Sequence, residues 1–456
     1  MEKFTISGKA VEKELSNRKT PWRSLYLSYL TQTFAGIQTS VYITSMWPYY
    51  MTLDPGADFK FFGWMFATYS GGQMLASWLF GLWNQKTMST TQPACCGLLL
   101  MAVGNLVYFM LPAMKGYATW LMLLSRFLVG FGSGNVALLR GYCAMASTLE
   151  DRTRAMALAT GSFVVGIALG PAIQSSMTPI GLEGFHIKSF LFNMYTVPAL
   201  LMVVVAVAGI GVLLVFFTED YVGVVTHMQN DPFTVVPKFD KLPVIICMYF
   251  WFVVNSVATS IELLATPLTI ALYNWTSEQA VMYTGIMNFI SCAIDVFNYG
   301  VLSFTRVGKL DKRKLLMFGI FTFAGYFVFT LPWPFYGGKL DYIQTASNST
   351  KEDASHSGGC FRRFTWCEST TRIPLPVYLF SFIVFFGFGF PYMVAPLGTL
   401  FSEILGPRKQ GIMQGLFEVI GCLARGFGPM ILTSLYEASG YLWPTVVHLT
   451  MLLIAL

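Results

Sequence analysis

Arg126, Arg140, Glu262, Asp295, Glu418 and Arg425 are ionisable residues set inside stretches that are otherwise almost wholly apolar. Each such residue costs roughly 2.5–3.5 kcal/mol to insert at the centre of a membrane helix. Residues of this kind face a bundle interior or a water-filled path and mark the route of an ion, a proton or a polar solute. Guanidinium groups there can attract an anion, and carboxyl groups can take up and release protons. No enzyme constellation accompanies them. There is no P-loop, no H-E-x-x-H and no His/Cys cluster at metal spacing, and the four histidines (His186, His227, His356 and His448) are scattered. Neither catalysis nor a metal or other cofactor is expected.

Spacing refines the roles. Arg126 and Arg140 are fourteen positions apart. On one continuous helix they return within about 40° of the same face and lie about 21 Å apart, so a single cationic stripe is expected. Arg126 is expected to face the solute path, the alternative being an inter-helix salt bridge; Arg140 is the more structural of the two. Glu418 and Arg425 share a face about 10 Å apart, too far to bond directly but within reach of one water or a substrate anion. Arg425, beside a Gly-Pro break, is the leading anion attractor. Glu262 precedes Pro267 by five residues. Low dielectric favours a neutral carboxyl, which suits Glu262 to proton coupling; the alternative is a structural partnership with an arginine. Asp295, flanked by Asn288 and Asn298, reads as part of a polar helix face, and His448 as packed and neutral.

These positions need elements that hold them. The 456-residue chain is 55% hydrophobic, 16% aromatic and 11% charged, against about 25% charge in a soluble domain. Lipid is therefore its main solvent, and a crossing needs about 20 apolar residues in a helix. Segments 22–48, 61–83, 94–114, 118–146, 154–177, 190–217, 242–273, 280–304, 315–335, 376–402, 411–435 and 440–456 meet that length. The reading is an all-α membrane protein with 12 transmembrane helices. Residues 1–21 form a polar segment without the apolar core of a signal peptide. Residues 218–241, polar and carrying Pro232 and Pro237, link a bundle at 22–217 to a second at 242–456.

Lys and Arg between spans fall mostly on one side, among them Lys86, Arg152, Arg154, Lys312, Arg313, Lys314, Arg408 and Lys409. That bias places both termini in the cytosol. It also accounts for the net charge of +6, so no nucleic-acid partner is expected. The sequons at Asn274 and Asn348 then fall on the lumenal side, where glycosylation occurs. Cys360 and Cys367 share the lumenal loop 336–375, where an oxidising compartment permits a disulfide.

The bundles resemble each other. Arg152 precedes a helix with Gly166, Gly170 and Pro171; Arg408 precedes one with Gly426, Gly428 and Pro429. Gly166 and Gly170 have the spacing of close helix contacts, as do Gly411 and Gly415. Six-helix repeats of this kind build many secondary transporters, with the solute site between them near the midplane.

The run Arg126-Phe-Leu-Val-Gly130-Phe-Gly132 and the Gly166-x-x-x-Gly170-Pro171 motif resemble signatures of the major facilitator superfamily. The basic loop motif that usually follows span 2 is reduced to Gln85-Lys86. Trp47-Pro48-Tyr49, Tyr69-Ser-Gly-Gly-Gln-Met74, Gly134-Asn-Val-Ala137, Asn193-Met-Tyr-Thr196, Thr266-Pro-Leu-Thr269 and Ile404-Leu-Gly-Pro407 are similar to the lysosomal branch affected in neuronal ceroid lipofuscinosis type 7. The resemblance implies a multi-pass protein of late endosomes and lysosomes, with a chloride conductance proposed for that branch. Three functions compete. The first is a monomeric transporter of a small anionic or zwitterionic solute, coupled to protons through Glu262. The others are an anion channel on the same scaffold and a non-transporting scaffold or receptor. Tyr221-Val-Gly-Val224 fits a tyrosine-based sorting signal, and the twelfth span runs only to Leu456.

Overall fold

The computed structural model describes residues 18–43, 45–53, 59–181, 183–187, 190–224, 239–343, 358–362 and 364–456. Asn348 lies outside the described residues. In chain order the helices are α1 (Trp22–Ser40), α2 (Met46–Leu53), α3 (Phe59–Thr87), α4 (Thr91–Met110), α5 (Ala118–Gly132), α6 (Asn135–Ala146), α7 (Arg152–Ser176), α8 (Thr196–Phe216), α9 (Lys241–Tyr273), α10 (Ser277–Phe304), α11 (Lys312–Thr330), α12 (Leu375–Phe380), α13 (Phe386–Leu405), α14 (Gly411–Ser439) and α15 (Leu442–Ala455). A small antiparallel hairpin pairs β1 (Phe185–Ile187) with β2 (Phe190–Phe192).

Among the described residues, nine helical stretches are long and apolar enough to cross a membrane. The other three expected spans are also helical. Helices α1 and α3 carry Ser, Thr, Gln and Asn that lower their hydropathy, and α15 has 14 residues.

Three expected spans depart from a single regular helix. The first breaks after Ser40 into a turn before α2. Pro48, which cannot donate an N–H and crowds the preceding turn, is tolerated only near a helix start. The fourth has a two-residue turn at Ser133-Gly134 between α5 and α6; both residues keep right-handed helical φ/ψ, and Ala118–Ala146 remains one span carrying Arg126 and Arg140. The tenth contains a π-helical turn, Ser381–Phe385, between α12 and α13. In α13, Pro391 has no N–H for the Gly387 carbonyl, and the Asn298 side-chain amide donates to that oxygen at 3.2 Å. A side chain thus satisfies a carbonyl that hydrocarbon could not.

The chain divides into two compact units. The first holds residues up to Cys247 together with Tyr299–Lys309 and Gly398–Leu423. Within it α1 packs along α7, α3 along α5, and α4 against α5 and α8. A Cβ on Gly166 would overlap the Thr33 carbonyl oxygen, and one on Gly36 the Phe163 carbonyl oxygen, so α1 and α7 meet backbone to backbone. Near one end, a Cβ on Gly81 would lie 2.5 Å from the Gly411 carbonyl oxygen, and one on Gly415 2.5 Å from that of Ser77. Glu219 Oε1 accepts from the Thr90 and Thr91 backbone N–H groups at 3.1 and 2.7 Å, capping α4 where the helix dipole favours an anion. Tyr221, beside it, shares a 2.8 Å hydrogen bond with the Thr90 hydroxyl, and burial pushes its phenol up to about 12. Val224 is 1% exposed. An adaptor needs both side chains exposed, so the sorting-signal reading of Tyr221–Val224 is corrected to a packing role.

The second unit holds Met248–Asn298, Leu310–Leu397 and Ala424–Leu456. Asn274 adopts a left-handed φ of 56° just after α9, a conformation Asn tolerates at helix ends. Its amide donates to Asp341 Oδ2 at 2.8 Å, and Arg372 Nη2 donates to the same oxygen at 2.7 Å. Cys360 and Cys367 are disulfide-bonded, and the Gly359 N–H donates to the Ile270 carbonyl at 3.0 Å. The loop is therefore clasped to the end of α9.

Two outcomes follow from this packing. Gly166→Leu is expected to lower stability by about 1–3 kcal/mol, read as a lower unfolding midpoint of the purified protein in detergent. Arg372 and Asn274 hold the Asp341 carboxyl below its ordinary value. The resulting stabilisation is present above that ordinary value and is lost only as pH falls through the lower folded-state value. Asp341 is 63% exposed, so the pair contributes less than about 1 kcal/mol. Asp341→Asn should lower the midpoint slightly and equally at about pH 7 and about pH 5.

Candidate functional site

The intramembrane charges fall into four arrangements. In the first unit, Arg140 on α6 donates from Nη1 to Glu418 Oε2 on α14 at 3.0 Å, with side-chain exposures of 7% and 3%. A buried pair at this distance repays part of the desolvation of both ions. Glu418, paired in sequence reasoning with Arg425, has Arg140 as its partner, 278 positions away.

Arg126 sits elsewhere in that unit. It is 4% exposed, and its guanidinium lies over the rings of Tyr42 and Tyr108, 4.5 and 5.3 Å from their centroids. Tyr42 donates its hydroxyl to Asn105 Oδ1 at 2.7 Å. Asn105 and Gln38 exchange amide hydrogen bonds of 2.7 and 3.2 Å. Tyr49 and Tyr195 extend the aromatic cluster. The cluster forms where α1 breaks, because the turn after Ser40 brings Tyr42 and Tyr49 against α4. Arg126 Nε and Nη2 and the Tyr108 hydroxyl have no hydrogen-bond partner among the described residues. The side chain is therefore buried against tyrosines, with those two nitrogens unpaired among the described residues.

The second unit holds Glu262, Asp295 and Arg425. Glu262 is exposed on α9. Asp295 on α10 is 3% exposed, and its Oδ1 has no partner among the described residues. Both carboxyl groups therefore belong to the same unit, on α9 and α10. Arg425, half-buried on α14, donates to Asn255 Oδ1 at 2.6 Å. Asn255 is oriented in turn by its amide bond to the Trp251 carbonyl at 2.7 Å. His448 Nδ1 donates to the Pro444 carbonyl at 2.7 Å, leaving Nε2 to accept from Ser256 at 3.2 Å. Both ring nitrogens are used, so His448 packs as a structural residue against Phe327.

The glycine motifs differ between repeats. Gly166 and Gly170, followed by Pro171, abut α1. Gly428, before Pro429, has open space where a Cβ would stand, and Gly426 is half-buried.

The sequence matches the profile of the Major Facilitator Superfamily over residues 28–343. The chain belongs to that superfamily. Major facilitator superfamily domain-containing protein 8 of Xenopus laevis is 34% identical over 463 residues, covering 95% of this chain and 88% of that protein. The human organic anion transporter MFSD10 (TETRAN) superposes with a TM-score of 0.67 at 16% identity, over 95% of this chain and 98% of that one. The proton:xylose symporter XylE superposes with a TM-score of 0.65 at 13% identity, over 95% and 94% of the respective chains. The fold is that of a multi-pass major facilitator transporter.

Sequence reasoning missed Tyr42, Tyr108 and Asn255. The Trp47-Pro48 break was the available signal for the tyrosines. No local pattern announces Asn255.

Removing one member of the Arg140–Glu418 pair strands a buried charge. Arg140→Met or Glu418→Met is expected to cost about 3–5 kcal/mol. The double variant should recover much of that loss, checked by a double-mutant cycle on unfolding midpoints.

Proposed function

We propose that this protein moves a small anionic or zwitterionic solute across an endolysosomal membrane by alternating access, driven by protons through Glu262 and Asp295. The observation that carries the reading is the presence of two carboxyl groups on α9 and α10, one exposed and the other buried with an unpartnered oxygen. Carboxyl groups inside membrane spans mark proton paths, and an oxygen left without a donor can take up a proton and surrender it when its surroundings change.

The anionic preference rests on the guanidinium groups of Arg126, packed against the Tyr42 and Tyr108 rings, and Arg425, held by the neutral Asn255 amide. The named activities of two structural neighbours, organic anion transport and proton symport, fit the two parts of the reading. In this scheme the bundles 22–217 and 242–456 are the moving bodies and both termini are cytosolic. The protein acts as a monomer. The clasped loop is lumenal, with Asn348 the glycan acceptor. Asn274 is a weaker acceptor because its amide is already engaged by Asp341.

Proteoliposomes offered labelled benzoate, succinate or glutamate under an imposed pH gradient test the reading. Gradient-driven accumulation is expected in the wild type. Glu262→Gln should abolish accumulation while leaving solute exchange across the membrane in place. Accumulation that ignores the gradient, or that survives Glu262→Gln unchanged, sinks the coupling.

A further inference from the structure

The unpartnered atoms of Arg126 are its Nε and Nη2. These two N–H groups lie along the same edge of the guanidinium, the edge that grips both oxygens of a carboxylate or phosphate in bidentate fashion. The guanidinium carbon lies over the Tyr42 and Tyr108 rings, 4.5 and 5.3 Å from their centroids, and the two rings, 4.6 Å apart, sit on one side of it. Cation–π contact of this kind acts through the face and leaves the in-plane donors unsatisfied. Buried donors without acceptors are costly, and nearly all in folded proteins are paired.

A further unpartnered donor belongs to the same cluster. The Tyr108 hydroxyl is buried without a partner among the described residues, on the ring that lies 5.3 Å from the Arg126 guanidinium carbon. Tyr42, by contrast, has its hydroxyl committed to Asn105, and Asn105 is locked to Gln38. The polar network therefore fixes the ring that supports the guanidinium while sparing the edge. The acceptor that would satisfy these donors is planar or tetrahedral, with at least two oxygens and a negative charge.

We propose that the Nε/Nη2 edge of Arg126, together with the Tyr108 hydroxyl, anchors the acid group of the transported solute, a carboxylate or phosphate held through two oxygens. This rests on the transport reading above and gives it a substrate class: organic or inorganic oxyanions in preference to halide. A spherical halide would meet one donor well and leave the fork geometry unused. The edge is buried in this conformation, and an alternating-access cycle exposes it in another.

The test is equilibrium binding to the purified full-length protein in detergent, without membrane or gradient. Unfolding is followed by intrinsic fluorescence while benzoate, succinate or inorganic phosphate is titrated at constant ionic strength, with chloride as control. At least one oxyanion is expected to raise the midpoint saturably, as a ligand of the native state must, and chloride is not. Arg126→Lys keeps the charge but loses the fork and should weaken apparent affinity about tenfold or more. Tyr108→Phe keeps the ring and loses one donor; it should weaken affinity severalfold, and it carries the test if Arg126→Lys does not fold. The proposal is overturned if no oxyanion shifts the wild type, if chloride acts equally, or if both variants bind like the wild type. Binding that behaves as expected without gradient-driven flux would defeat the coupling alone. Flux with no Arg126-dependent binding would defeat this site alone.

Discussion

A polar group taken out of water must find its compensation inside the protein, and in a bilayer there is no solvent to fall back on. Much of the molecule is arranged around that requirement. The Gly387 carbonyl released by Pro391 receives the Asn298 amide. Arg140 receives Glu418 across 278 positions, and Arg425 receives Asn255, itself held by the Trp251 carbonyl. The N-terminus of α4 receives the Glu219 carboxylate. These pairings join elements far apart in the chain, so satisfying the polar groups also specifies how helices pack. Close backbone approach at Gly36 and Gly166 brings the helices within reach for this to happen.

Some buried groups are left uncompensated. Arg126 Nε and Nη2, the Tyr108 hydroxyl and Asp295 Oδ1 are among those without partners in the described residues. Proteins keep such local violations chiefly where function needs them. These four atoms separate by sign, donors gathered on α4 and α5 in one unit and the acid on α10 in the other. The ordinary alternative for Arg126, an inter-helix salt bridge, is the arrangement Arg140 adopts and Arg126 does not.

Much of the architecture was legible from residue order alone. Hydropathy and length are local quantities, and lipid leaves helix as the way for a single apolar segment to cross. The spans, the membrane class and the candidate charges could therefore be read directly. The proximity of Cys360 and Cys367 in one loop also pointed to their disulfide. What spacing could not supply was partners. Arg126 and Arg140 share one span, yet Arg126 meets the Tyr42 and Tyr108 rings and Arg140 meets Glu418. The four-residue pattern at Tyr221 carried no information about the α4 end that buries it.

By itself, then, the sequence determined that this is an all-helical membrane protein, which residues must be costly to bury, and where glycine permits close contact, because each follows from composition and periodicity along one segment. Only the tertiary structure decided which cost is met and which is left open. That decision depends on partners brought together from distant parts of the chain: Glu418 for Arg140, Asn255 for Arg425, and tyrosine rings with no acceptor for Nε and Nη2 of Arg126. Compensation is a property of three-dimensional neighbours, and neighbours are set by how helices pack rather than by the order of residues within them.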